Sequence, residues 1–236
     1  MGQRAAYLAA LGVPDWRQRR AMAVQPAARA PAAPAPALPD PPVGADTCGN
    51  DSWDAVSTEV AGCTRCGLHA CRTRTVFGVG NRSARWLVVG EAPGAEEDRQ
   101  GEPFVGRAGK LLDAMLLAIG LQRDEVFIAN VLKCRPPDNR NPAPAEVAQC
   151  LPFLERQIAL LKPTIMLAVG SVAAQNLLAT DVPVGRLRGR VHAFGSARTP
   201  VVVTYHPAYL LRSPGEKRKV WEDLKFARRM AGAQPA

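Results

Sequence analysis

At 236 residues the chain has room for one medium domain with a sizeable buried core, plus an appendage. Thirty Lys and Arg against 21 Asp and Glu give a net charge of +9, of which +7 falls on residues 51–236 (25 basic against 18 acidic), a balance that suits a polyanionic partner. No apolar run approaches the ~18 residues that span a bilayer, and the short stretch 5–13 runs into Pro14-Asp15-Trp16-Arg17 without a small-residue cleavage site, so neither a membrane span nor a secretory signal is expected.

Residues 1–22 read as a short helical tail, amphipathic over 6–20 with Tyr7, Leu8, Leu11 and Trp16 as its apolar members, able to dock a protein partner or to fray. Residues 23–50 form an Ala/Pro-rich linker. The tract from Pro26 to Pro42 has almost no large apolar side chains to repay chain entropy and is expected to be extended and disordered. From residue 51 to 236 the pattern is that of a folded domain. A helix over Trp53–Gly62 leads into Cys63 and Cys66. Four short runs rich in β-branched residues follow, Trp86–Val89, Val126–Asn130, Ile165–Val169 and Pro200–Tyr205. Between them lie helical segments Arg107–Ile119, stopped by Gly120, then Pro144–Leu161, and Ser171–Leu178 with Ser171 as its N-cap; a last helix spans about Pro214 to Met230. Alternating strands and helices imply an α/β fold, a three-layer αβα sandwich around a four-stranded parallel sheet.

In such sheets ligands bind beyond the carboxyl ends of the strands. The first strand runs out into Gly90-Glu91-Ala92-Pro93-Gly94-Ala95-Glu96-Glu97-Asp98, the second ends at Asn130, the third at Gly170-Ser171, and the fourth at Thr204-Tyr205-His206-Pro207. A carboxylate, an amide and an imidazole thus converge on one crevice, which marks it as a site. Nucleotide motifs are missing: Gly101 and Gly106 have P-loop spacing but Arg107 follows in place of Lys, and Gly78-Val79-Gly80 precedes its strand. No nucleotide cofactor is expected.

Six cysteines are too few for a disulfide scaffold in a chain this long, and a reducing cytoplasm is the expected setting. Four are patterned, Cys63 and Cys66 as C-x2-C and Cys134 and Cys150 as C-x15-C. That spacing admits a structural zinc or an iron–sulfur cluster, with zinc slightly favoured by spacing alone. Cys48, in the linker, and Cys71, just past the first pair, do not belong to the set.

The turn GEAPGAEED, the run Gly101-Glu102-Pro103-Phe104-Val105-Gly106-Arg107-Ala108-Gly109, the segment Asn130-Val131-Leu132-Lys133-Cys134-Arg135-Pro136-Pro137 and the segment His206-Pro207-Ala208-Tyr209-Leu210-Leu211-Arg212 together resemble the family 4 uracil-DNA glycosylases of bacteria and archaea. The resemblance covers about residues 55–230, in order, and includes the cysteine spacing. It implies a uracil-DNA glycosylase-like fold and a monomeric, nucleoid-associated repair enzyme that flips uracil out of single- or double-stranded DNA and hydrolyses its N-glycosidic bond. It implies a [4Fe–4S] cluster on Cys63, Cys66, Cys134 and Cys150. Its site residues would be Glu91 for the water, His206 for the uracil O2, Phe104 for stacking, Asn130 for the base edge, and Gly90, Ala92 and Glu97 around the base, Glu97 beside C5. Other uracil-glycosylase families carry an Asp where Ala92 stands. Leu210 and Leu211 would form a wedge, and Arg135, Arg140 and Arg212, with Lys217 and Arg218, would meet phosphates. Two rivals are a non-catalytic DNA-binding accessory of a polymerase, recruited through the tail, and a zinc-stabilised hydrolase of free nucleotides.

Overall fold

The computed structural model describes residues 52–232; the tail and linker expected over 1–50, with Cys48, lie outside the described residues. Helix α1, Trp53–Ala61, opens where the Ser52 hydroxyl accepts the Ala55 N–H at 3.1 Å. The four predicted strands are present as β2 (Trp86–Gly90), β3 (Phe127–Asn130), β4 (Ile165–Val169) and β6 (Thr199–Thr204). They pair in parallel in the order β3-β2-β4-β6. The expectation of a four-stranded sheet is corrected to six strands: β1 (Val79–Gly80) and β5 (Val191–Phe194) add antiparallel edges. Both edge strands are short, and β5 alternates exposed with half-buried residues.

Burial on both faces explains why the parallel strands read as continuous apolar runs. One face presents Leu87, Val89, Ala129, Met166, Ala168, Val201 and Val203 to α1, to α4 (Pro144–Leu161) and to α5 (Ser171–Leu177). The other presents Trp86, Val88, Ile128, Leu167, Val169 and Val202 to α3 (Arg107–Ala118) and to α8 (Lys217–Gly232). The last helix thus starts later than expected, because Pro214–Glu216 forms a separate 3-10 turn. Ser171 is not the cap of α5. Gly170, at φ 101°, takes that position, its N–H donating to Thr204 O at 2.9 Å, and Ser171 is the first helical residue. Three short helices complete the fold, α2 (Ala95–Gln100), α6 (Val184–Leu187) and α7 (Pro207–Arg212). Among the described residues no helix is long and apolar enough to cross a membrane.

Candidate functional site

A cleft of about 930 Å³ opens at the carboxyl ends of the parallel strands, lined by Glu91, Ala92, Glu97, Phe104, Asn130 and His206 among others. Gly90 and Asn130 are register partners at the ends of β2 and β3. A Cβ on Gly90 would overlap Asn130 Oδ1 and lie 2.6 Å from Phe104 Cζ, so the missing side chain is the space into which amide and ring fit. Asn130 is 3% exposed. Its carbonyl oxygen accepts from Lys133 Nζ at 2.8 Å, while its side-chain amide borders the cleft and has no hydrogen-bond partner among the described residues.

Phe104 is held at φ 54°, a left-handed conformation that a non-glycine residue adopts only when its surroundings impose it. Gly109, in the first turn of α3, makes room for it: a Cβ there would overlap the Phe104 carbonyl. The Phe104 ring stacks on His206 with centroids 5.6 Å apart and planes 29° from parallel. His206 caps α7, its Nδ1 accepting the Ala208 N–H at 3.1 Å. Nδ1 therefore carries no proton, and the neutral ring keeps its hydrogen on Nε2. Burial, helped by the nearby Arg212 charge, lowers its pKa to about 4. Burial raises the pKa of Glu91 above the usual carboxylate range.

Glu97 sits at the cleft, but its carboxylate is engaged from below. Oε2 accepts the Gly94 N–H at 3.1 Å and Oε1 the Gly106 N–H at 3.4 Å, joining the turn after β2 to the loop that carries Phe104. Asp98, 3% exposed, does similar work one residue on, accepting from Thr73 N at 2.9 and 3.0 Å. The long-range partners of Glu97 and Asp98 carry no local sequence signal.

Cys63, Cys66, Cys134 and Cys150 wall a second cavity, while Cys71 is exposed and outside it. Arg72 Nη1 donates to Cys134 Sγ at 3.2 Å and to Cys63 O at 2.7 Å, and the Lys133 N–H donates to Cys150 Sγ at 3.2 Å. Burial pushes the Cys134 thiol up and the Cys150 thiol to about 11. Four sulfurs with N–H donors and a guanidinium at their backs fit a thiolate-bound inorganic group.

At the mouth, Leu211 is 38% exposed, whereas Leu210 is 1% exposed and packs in the core beside α3 and α8. The expectation of a two-leucine wedge is therefore corrected: α7 turns Leu210 inward, and Leu211 alone faces out. Arg212 is exposed at the cleft. Arg140 also borders it but forks onto Glu146 at 2.6 and 2.9 Å, and Arg135 Nε donates to Asn139 Oδ1 at 2.8 Å. Lys133 was visible only as part of a motif and proves to be a core residue, 1% exposed.

A parallel α/β sheet thus gathers a stacked aromatic ring, an amide and a neutral imidazole in one cleft at its strand ends. Residues 77–225 match the model of the uracil DNA glycosylase superfamily. The chain is 42% identical over 188 residues to a type-4 uracil-DNA glycosylase of Archaeoglobus fulgidus, covering 77% of this chain and 94% of that one. It is 43% identical over 179 residues to the type-4 enzyme of Thermotoga maritima (74% and 92%), and 34% identical over 121 residues to a type-5 uracil-DNA glycosylase of Thermus thermophilus (45% and 55%). The chain belongs to the uracil-DNA glycosylase superfamily and, within it, to the type-4 uracil-DNA glycosylases.

Proposed function

We propose that this protein excises uracil from DNA by hydrolysing the N-glycosidic bond, leaving an abasic site. The observation that carries the reading is the unpartnered, nearly buried Asn130 amide beside the Phe104–His206 stack. A base must leave the duplex to reach such a slot, at a cost of a few kcal/mol. Phe104 offers the stacking face, worth about 1–3 kcal/mol. Asn130 Oδ1 accepts from uracil N3–H and its NH2 donates to O4. Cytosine reverses both roles and would leave buried groups unpaired, a mismatch that can discriminate by about 10^4-fold.

As the bond breaks, uracil leaves as an anion and the sugar becomes cationic. His206 Nε2–H donates to the O2 that gains charge; because the ring is already neutral, it stabilises the anion without surrendering a proton. Glu91 holds the attacking water and offsets the sugar charge. Glu97, bound to two backbone N–H groups, fixes the walls around the base and borders C5. Leu211 fills the gap left by the base, and Arg212 meets a phosphate. The four cysteines hold a [4Fe–4S] cluster with a structural role, bracing the segment between Cys134 and Cys150. A non-catalytic DNA-binding accessory has no use for a base slot of this kind.

Uracil-containing single- and double-stranded oligonucleotides incubated with the protein in EDTA, then cleaved with alkali, should be cut at uracil. Intact strands would reject the reading, and loss in Asn130→Ala or His206→Ala would assign the slot. Iron and acid-labile sulfide in stoichiometric amounts would establish the cluster; zinc in their place would refute it.

A further inference from the structure

Lys133 lies wholly inside the fold, yet among the described residues no carboxylate bonds its ammonium. Nζ donates to Asn130 O at 2.8 Å and to Gln157 Oε1 at 2.6 Å, and Gln157 Nε2 donates in turn to Phe77 O at 2.9 Å. A buried ammonium hydrogen-bonded to two neutral oxygens, with the Cys150 sulfur as its nearby countercharge, is costly, and an apolar side chain of the same length would fill the space more cheaply. The bond to Asn130 gives the charge a purpose. Asn130 is the last residue of β3, where the ladder with β2 ends, so its carbonyl has to find a donor outside the sheet.

The neighbouring backbone is tied in the same way. Val131 N–H donates to Gly90 O and Leu132 N–H to Glu91 O, both at 3.0 Å, while the Lys133 carbonyl accepts from Val76 N at 2.8 Å. The Lys133 N–H reaches Cys150 Sγ. Helix α4 supplies both Cys150 and Gln157, seven residues apart and so on one stripe of the helix. Five residues, 130–134, therefore run from the base-reading amide to a cysteine of the second cavity, with Lys133 hydrogen-bonded to Asn130 through its ammonium and to Cys150 through its N–H.

We propose that Lys133 is a positioning residue for the uracil reader: its ammonium, steadied by Gln157, pins the Asn130 main chain so that the side-chain amide meets the base in one orientation. The proposal rests on the uracil reading of the slot and adds to it that recognition is set from behind, by a residue that never touches the base. A misplaced reader can cost about a hundredfold in rate.

The test compares the wild type, Lys133→Met and Gln157→Leu on a uracil oligonucleotide, recording kcat, KM for DNA and the inhibition constant of free uracil, with iron content measured on each. Loss of folded protein or of cluster lowers kcat in proportion but leaves the inhibition constant of the surviving enzyme unchanged. A displaced Asn130 weakens free uracil by about tenfold, the equivalent of one well-aligned hydrogen bond, while KM for DNA stays near the wild-type value. Gln157→Leu, which keeps the ammonium but unhooks it, should shift the same constant in the same direction by less. Wild-type inhibition by uracil in Lys133→Met overturns the proposal; if that variant does not fold, an unshifted constant in Gln157→Leu overturns it. A wild-type chain inert on uracil DNA sinks the reading beneath it instead, a result these variants cannot imitate.

Discussion

A methyl group on Gly90 would claim the space now shared by Asn130 Oδ1 and the edge of Phe104. Gly90→Ala should therefore reduce single-turnover uracil excision by about a hundredfold or more, because both groups must move. Its melting temperature should fall by only a few degrees, since the strain is confined to the rim. The two titrating residues separate by pH. Glu91 must be charged to hold water, and burial raises its pKa, whereas His206 stays neutral down to about pH 4. The acid limb of kcat/KM should accordingly lie above the ordinary carboxylate range and vanish from the residual activity of Glu91→Gln. Persistence of that limb in the variant would reassign it. For stability the sign follows from His206: between about 4 and 6.5 the unfolded chain takes up a proton that the folded chain refuses, so falling pH weakens the fold across that window. Glu91, Asn130 and His206 were legible in the sequence because each sits where an apolar run stops, whereas Phe104 was legible only through the motif that carries it. The partners of Glu97 and the burial of Lys133 were not, since both depend on contacts between distant segments.

Among the elements, α3 and α7 show how a backbone decides what a side chain does. Gly109 admits the Phe104 carbonyl against α3. Gly109→Ala should lower the activity and, because its clash is with backbone, the melting temperature by more than Gly90→Ala does, and scanning calorimetry alongside excision assays would separate the two. In α7, neighbouring leucines part company. Leu210→Ala should cost about 2–5 kcal/mol in denaturant unfolding, as deletions from a packed core do. Leu211→Ala should leave unfolding unchanged and slow excision from duplex more than from single strands, where no stacked gap has to be filled. Equal losses on both substrates would exclude the wedge. The sequence revealed the four parallel strands because burial on both faces makes them solidly apolar. It concealed β1, which is two residues including a glycine, and β5, whose residues alternate at an exposed edge. The adjacent leucines of α7 look alike in sequence; only its docking against the second core layer tells them apart.

Across the whole molecule, the net charge of +9 sets how tightly any DNA is held. Arg212 is free to meet a phosphate, while Arg140 already answers Glu146. Arg212→Ala should reduce the slope of log affinity against log salt by about one, and Arg140→Ala by less, as read from titrations at several salt concentrations. The sheet order has a consequence for how the protein is made. Its central strands follow the order β3-β2-β4-β6, and the strand that leads into His206 is the last of them in sequence. The base slot closes only when β6 and α7 leave the ribosome, long after Gly90, Phe104 and Asn130 have been synthesised. A nascent or truncated chain that ends before β6 would carry basic surface without a working slot.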